Sequence, residues 1–278
     1  MTQKQFIKEI CAQENITIES LSHDYVFRLT RGNESRHIFG AFWDLNSAAA
    51  DRIACDKCAC YSILNKNGIP AIQHELINNP LLRQGWLGSL NTPTSGIWNQ
   101  ALAWFKTFNQ KVVLKPNQGS MGQDVFLCDT IPSMEAAVQA IFSTQPNAAI
   151  SPYHHIATEY RVFYVNGNCP FAYGKTPDFT KSWQHNLAQG AKASLIPAEK
   201  KQLTNALNTL ASRAAKTIGI NFATIDIAEL ASSELIIMEI NAGVQARYLL
   251  EQHPQLKETI KKIYTEAIHA MFKPTLQV

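Results

Sequence analysis

The sequence predicts an α+β fold with room for two or three compact lobes, and three observations carry that reading. Short apolar runs suited to strands alternate with amphipathic stretches suited to helices along most of the chain. A glycine-rich stretch, KPNQGSMGQDV at residues 115–125, joins the apolar runs 111–114 and 125–128. Two later apolar runs, 224–227 and 235–241, carry Asp226, Glu239 and Asn241 at or near their ends.

Composition narrows the class. At 278 residues, with 46% hydrophobic and 17% charged residues, the chain can bury a sizeable core as an ordinary globular protein. A formal charge of +3 is too mild to point to nucleic acid or to a membrane surface as a partner. The N-terminus lacks the uninterrupted apolar core of a signal peptide, and no run approaches the roughly 18 apolar residues of a spanning helix. The expected compartment is the cytoplasm, with Cys11, Cys55, Cys58, Cys60, Cys128 and Cys169 as reduced thiols.

Taken in order, residues 3–14 place Phe6, Ile7, Ile10 and Cys11 on one helical face. The runs 25–29 and 36–42, separated by Arg31-Gly32-Asn33-Glu34, read as a hairpin. Asn46-Ser47 caps one helix, and Asp56 caps the next, from Lys57 to a stop at Gly68. Cys55, Cys58 and Cys60 lack the fourth ligand that a structural zinc site needs, and read as a helix face of small residues. Residues 79–96 are rich in turn formers, 97–108 return to helical spacing, and Ser133 is the expected cap of a helix from Met134 to Phe142. Residues 148–153 and 159–165 read as strands, and Pro197 opens a long helix over 198–218 whose apolar face is scaffold. The polar stretch 176–194 contains Trp183 and Leu187, which argue against a permanently solvated linker.

The chemistry-bearing residues fall in two groups. In the glycine-rich loop, Gly119, Ser120 and Gly122 let successive backbone N–H groups approach an anion, and Lys115 adds a charge that reaches a phosphate oxygen. An ordinary hairpin loop has the same composition, so the second group decides. Glu239 and Asn241, two apart on a strand, point to one face, and oxygen ligands gathered there with Asp226 suit Mg²⁺ beside substrate phosphates. Gly174-Lys175-Thr176 is no phosphate-binding P-loop, because Cys169 stands where the first glycine belongs and Pro177 follows. No Gly-x-Ser-x-Gly elbow is present, and the His154-His155 pair belongs to no motif.

Together, the glycine-rich loop, Asp56-Lys57 opening a helix that ends at Gly68-Ile69-Pro70, and the closing Met238-Glu239-Ile240-Asn241 resemble the ATP-grasp carboxylate–amine ligases. The similarity covers roughly residues 45–260 and is greatest to the RimK-type and cyanophycin-synthetase-like members. It implies an ATP-grasp fold of two α+β lobes gripping ATP, at 46–150 and 151–278, behind a small hairpin-containing N-terminal lobe at 1–45. That lobe is short for the family, so part of the usual substrate platform is either missing or supplied by a homodimer or partner protein.

The resemblance also implies residue roles. Lys57 and Lys115 pair with phosphates that Gly119, Ser120, Met121 and Gly122 cover. The hinge around Ser151 and Tyr153 meets adenine, although the acidic residue usual near Ser151 or Pro152 is absent. Glu159 lies near the ribose and Arg161 near phosphate or substrate, with a cross-strand ion pair as the alternative. Lys175 faces the cleft from a strand end, and Asn186, with His185, folds over the phosphates. Arg247 clamps a substrate carboxylate or else caps a helix; the family's Ser-Pro-Gly is missing before it. Asp226, Glu239 and Asn241 hold Mg²⁺ or Mn²⁺. The implied activity is formation of an amide or peptide bond from a carboxylic acid, an amine and ATP through an acyl phosphate. The alternatives are a kinase on the same fold and a catalytically silent nucleotide-binding protein.

Overall fold

The computed structural model describes residues 2–79, 97–119, 122–180 and 183–273. Ser120, Met121 and the turn-rich connector at 80–96 lie outside the described residues. Helix α1 (Gln3–Gln13) starts with a reciprocal Thr2–Gln5 capping box and buries Phe6, Ile7, Ile10 and Cys11. Strands β1 (Thr17–Leu21), β2 (Val26–Arg31), β3 (Glu34–Phe39) and β4 (Phe42–Trp43) follow as an antiparallel sheet in that order. The expected hairpin is β2–β3, in register from Val26 opposite Phe39 to Arg31 opposite Glu34. Its neighbours are harder to read from sequence: β1 is largely polar and β4 is two residues long.

Helix α2 (Ala48–Cys55) is capped by the Ser47 hydroxyl, and α3 (Lys57–Lys66) by the Asp56 carboxylate, which accepts from the Ala59 N–H at 2.9 Å. After β5 (Glu75–Asn78) come α4 (Ile97–Thr107), β6 (Val112–Pro116), β7 (Phe126–Cys128), α5 (Ile131–Phe142) and β8 (Asn147–Pro152). The cap of α5 is Thr130 rather than Ser133, because Pro132 fits the first turn and Ser133 closes a capping box from inside. The four strands make a second antiparallel sheet in the order β5-β8-β6-β7. Its core packs Val112, Leu114 and Ile150 against Ala101 and Phe105 of α4 and Met134 and Ile141 of α5.

The third sheet is built from β9 (Ile156–Val165), β10 (Asn168–Thr176), β11 (Lys192–Leu195), β12 (Phe222–Leu230) and β13 (Leu235–Asn241), ordered β11-β10-β9-β12-β13. Helix α6 (Lys201–Ile218) begins three residues later than expected, because the Lys200 N–H first closes a turn on the Pro197 carbonyl. Its buried stripe, Leu207, Leu210, Ala211 and Ala214, packs with α2 and α3 on Val162, Tyr164, Ile225 and Ile240. Phe163, Val165 and Phe222 of the same sheet join a separate core with α1, the first sheet and α8 (Lys257–Met271), which follows α7 (Arg247–Gln252). Trp43 links these layers, stacked on Tyr264 and edge-on to Phe222.

Candidate active site

The second and third sheets face each other across a cleft that opens to solvent. One wall is the phosphate-suited side. Lys57, the first residue of α3, is nearly buried, and its Nζ donates to the carbonyls of Gly119 at 3.1 Å and Asn117 at 3.4 Å. The Cys58 N–H donates to Asn117 Oδ1 at 3.1 Å, so the start of α3 is stitched to the glycine-rich loop. Lys115, from β6, shares this wall; burial and then the neighbouring Lys57 charge pull its ammonium down to about 8.

Glycine is favoured at 122. Its φ is +69°, and a Cβ there would meet Gln184 Oε1 at 2.6 Å and Asn186 Nδ2 at 3.1 Å. The loop carrying Asn186 therefore lies directly on the glycine-rich loop. Asn186 Oδ1 accepts from the Ala188 N–H at 2.9 Å and caps a short turn, which leaves its amide nitrogen toward Gly122. His185 is buried with Nδ1 3.0 Å from the Lys175 carbonyl, and burial lowers its imidazole from the ordinary value.

The opposite wall is an ion network fixed by strand register. On β12, Asp226 lies between Arg161 of β9 and Glu239 of β13, and Lys175 of β10 lies opposite Glu159 of β9. Arg161 grips Asp226 with a two-pronged fork, Nε to Oδ1 at 2.7 Å and Nη2 to Oδ2 at 2.6 Å. Lys175 pairs with Glu159 and reaches Asp226 Oδ2 at 3.3 Å. Asn241 Nδ2 donates to Asp226 Oδ2 at 3.3 Å and to Glu239 Oε1 at 3.1 Å. Burial pushes the Glu159 carboxyl up to about 7, with Lys175 offsetting only part of the effect. For Asp226 burial acts in the same direction, but Arg161 and Lys175 outweigh it and hold the carboxyl low.

The donors on this wall suit a hard divalent ion. Glu239 and Asn241 touch, and rotation of the Asn241 amide turns its oxygen toward the same point. Among the described residues no group of three or more His, Cys, Asp or Glu converges, so an ion here would complete its shell with phosphate oxygens and water, as Mg²⁺ prefers.

At the hinge, Ser151 is buried with Oγ 3.5 Å from the Val113 carbonyl. Tyr153 lies under Lys111 Nζ at 4.3 Å and edge-on to Trp183. Phe179, Trp183, His154 and His155 also line the cleft. Of these, Trp183 drew notice in the sequence as an aromatic in a polar stretch, and His154-His155 as a pair that belongs to no motif. Arg247 is set apart: it opens α7, keeps an exposed side chain and pairs with Glu251 at 2.9 Å.

Two antiparallel sheets closing on a lysine-and-glycine wall and a carboxylate wall define an ATP-grasp fold, and solved structures agree. The D-alanine–D-alanine ligase from Bacillus anthracis aligns with a TM-score of 0.60 at 15% identity, over 81% of this chain and 70% of that one. The Coxiella burnetii D-alanine-D-alanine ligase aligns with a TM-score of 0.53 at 13% identity, over 81% of this chain and 60% of that one. Residues 54–253 match the RimK-like ATP-grasp domain, and the chain belongs to that family. Among its relatives are probable alpha-L-glutamate ligases of Shewanella sp. (strain W3-18-1) and Azotobacter vinelandii, each 30% identical over 134 residues. Those matches cover 48% of this chain and 42% of each relative, so the chain matches less than half the length of these curated relatives. Among the described residues no helix is long and apolar enough to cross a membrane.

Proposed function

We propose that the chain is an ATP- and Mg²⁺-dependent ligase that joins a carboxylic acid to an amine through an acyl phosphate. The observation that carries this reading is the cleft with Lys57, Lys115 and Gly122 on one wall and Glu239, Asp226 and Arg161 on the other, with Asn241 hydrogen-bonded to Glu239. Lys57 and Lys115 hold the phosphates, and the backbone of the glycine-rich loop supplies further N–H donors. Glu239, Asn241 and Asp226 are the residues that would hold Mg²⁺, which when bound neutralises charge on the β- and γ-phosphates. A carboxylate oxygen of the substrate attacks the γ-phosphorus in line and ADP leaves. The amine then attacks the acyl carbon and expels phosphate. The protein's part is positioning and charge neutralisation. The free cysteines support a reducing, cytoplasmic setting.

The names of the matched relatives make L-glutamate the first substrate to supply, as acid and as amine. Incubation with ATP, Mg²⁺, a panel of carboxylic acids and hydroxylamine tests the chemistry, because a small strong nucleophile substitutes for the native amine. The expected product is a hydroxamate formed in step with ADP. A stable O-phosphorylated product without hydroxamate would replace the ligase by a kinase, and ATP binding with no product from any acid would mean a silent binder.

A further inference from the structure

We propose that Asp226 is a latch on Arg161: its carboxylate holds the guanidinium while the cleft is free of nucleotide and exchanges it for the metal ion, which releases the fork to an anionic group of the substrate. The inference deepens the proposed function, since it concerns the same cleft. Arg161 spends Nε and Nη2 on Asp226, and both carboxylate oxygens are occupied by that one partner. Lys175 and Asn241 crowd onto Oδ2 as well, and Oδ1 lies against the Arg161 Nε–H, so an ion gains full access to the carboxylate of Asp226, a side chain only 2% exposed, when Arg161 lets go. Lys175 cannot take over the anion, being 3% exposed and held from two sides by Glu159 and Asp226. Both side chains line the cleft, but that of Arg161 is 23% exposed, and a planar fork freed from one carboxylate matches another carboxylate or a phosphate. Asp226 thus acts on the substrate anion through Arg161, as a positioning residue.

The test reads binding rather than turnover. Calorimetric titration of the wild type with inorganic tripolyphosphate in EDTA should show weak affinity, and Asp226→Asn should bind about tenfold or more tightly, the size of a charge-assisted contact. The gain should vanish when Asp226→Asn is introduced into Arg161→Gln protein. A gain that persists in the Arg161→Gln background would reduce Asp226 to a plain negative charge and overturn the latch, as would no gain at all. In wild-type protein, the ¹⁵N-labelled arginine Nε–H signal that is lost in Arg161→Lys should move when Mg²⁺ and ADP are added together and stay in place with saturating ADP alone. A signal indifferent to the metal would also overturn the latch, and this arm stands even if Asp226→Asn does not fold. Neither readout needs an acid, an amine or ligation, so failure of the ligase chemistry would leave it separately testable.

Discussion

With Lys115 holding phosphate as proposed, nucleotide binding should depend on pH in a direction fixed by the surroundings of that lysine. Burial and Lys57 bring its ammonium to about 8 from the ordinary 10.5, a gap worth about 3 kcal/mol against the charged form at about 1.4 kcal/mol per unit. A bound triphosphate favours the charged form, so Lys115 titrates higher in the complex than in the free cleft. Between those two values ATP binding takes up a proton, and affinity falls by up to about tenfold per pH unit as pH rises above 8. The ligand-free protein shows the opposite trend. Its unfolded state binds more protons between about 8 and 10.5, so the Lys115 contribution destabilises the fold below that window and is relieved across it. Calorimetry of ATP with Mg²⁺ at pH 8.5, in two buffers of different ionisation enthalpy, measures the uptake directly. Lys115→Arg, charged throughout, should abolish uptake and flatten the pH slope. Binding without proton uptake in the wild type, or an unchanged slope in Lys115→Arg, would refute the reasoning.

Lys115→Ala should lower ATP affinity by about one to two decades, while Lys192→Ala, on an exposed position of β11, should not; equal affinities would displace Lys115 from the phosphate wall. Gly122→Ala combines a left-handed backbone, costing about 1–2 kcal/mol, with a clash against Gln184, so it should lower melting by a few degrees and weaken ATP binding; calorimetry unchanged on both counts would show that the two loops do not rest on each other. Glu239→Gln should keep the fold and cut turnover on the order of 10²-fold or more; normal turnover with normal melting would make the carboxylate structural. Trp43→Ala, which empties the contact among the first sheet, Phe222 and Tyr264, should cost about 3–5 kcal/mol in urea unfolding, and a loss below about 1 kcal/mol would mean that the layers are joined elsewhere.

Much of the third sheet was legible in the sequence because β13 and the centre of β12 are nearly continuous apolar runs. The glycine-rich loop was legible for the complementary reason: it interrupts two such runs, and Lys115 sits where the interruption starts. Glu239 and Asn241 follow from the two-residue period of a strand, which needs no partner to be known. What escaped depends on register across strands distant in sequence. The sequence offered Glu159 and Arg161 a cross-strand ion pair but could not name the partners, which pairing of β9 with β12 and β10 supplies as Asp226 for Arg161 and Lys175 for Glu159. The same holds for β4 and its Trp43, a two-residue strand whose role rests on Phe222 and Tyr264, each more than 150 positions away. His154 and His155 carry no pattern at all, and only the turn from β8 into β9 brings them to the cleft.

Transfer of label from the acid to the released phosphate tests the central claim most directly. A carboxylic acid substrate with both oxygens as ¹⁸O, given ATP, Mg²⁺ and the amine, passes one carboxylate oxygen to the γ-phosphorus and loses it with phosphate when the amine attacks. The account predicts inorganic phosphate carrying one ¹⁸O for each amide formed. Unlabelled phosphate released beside the amide would contradict it.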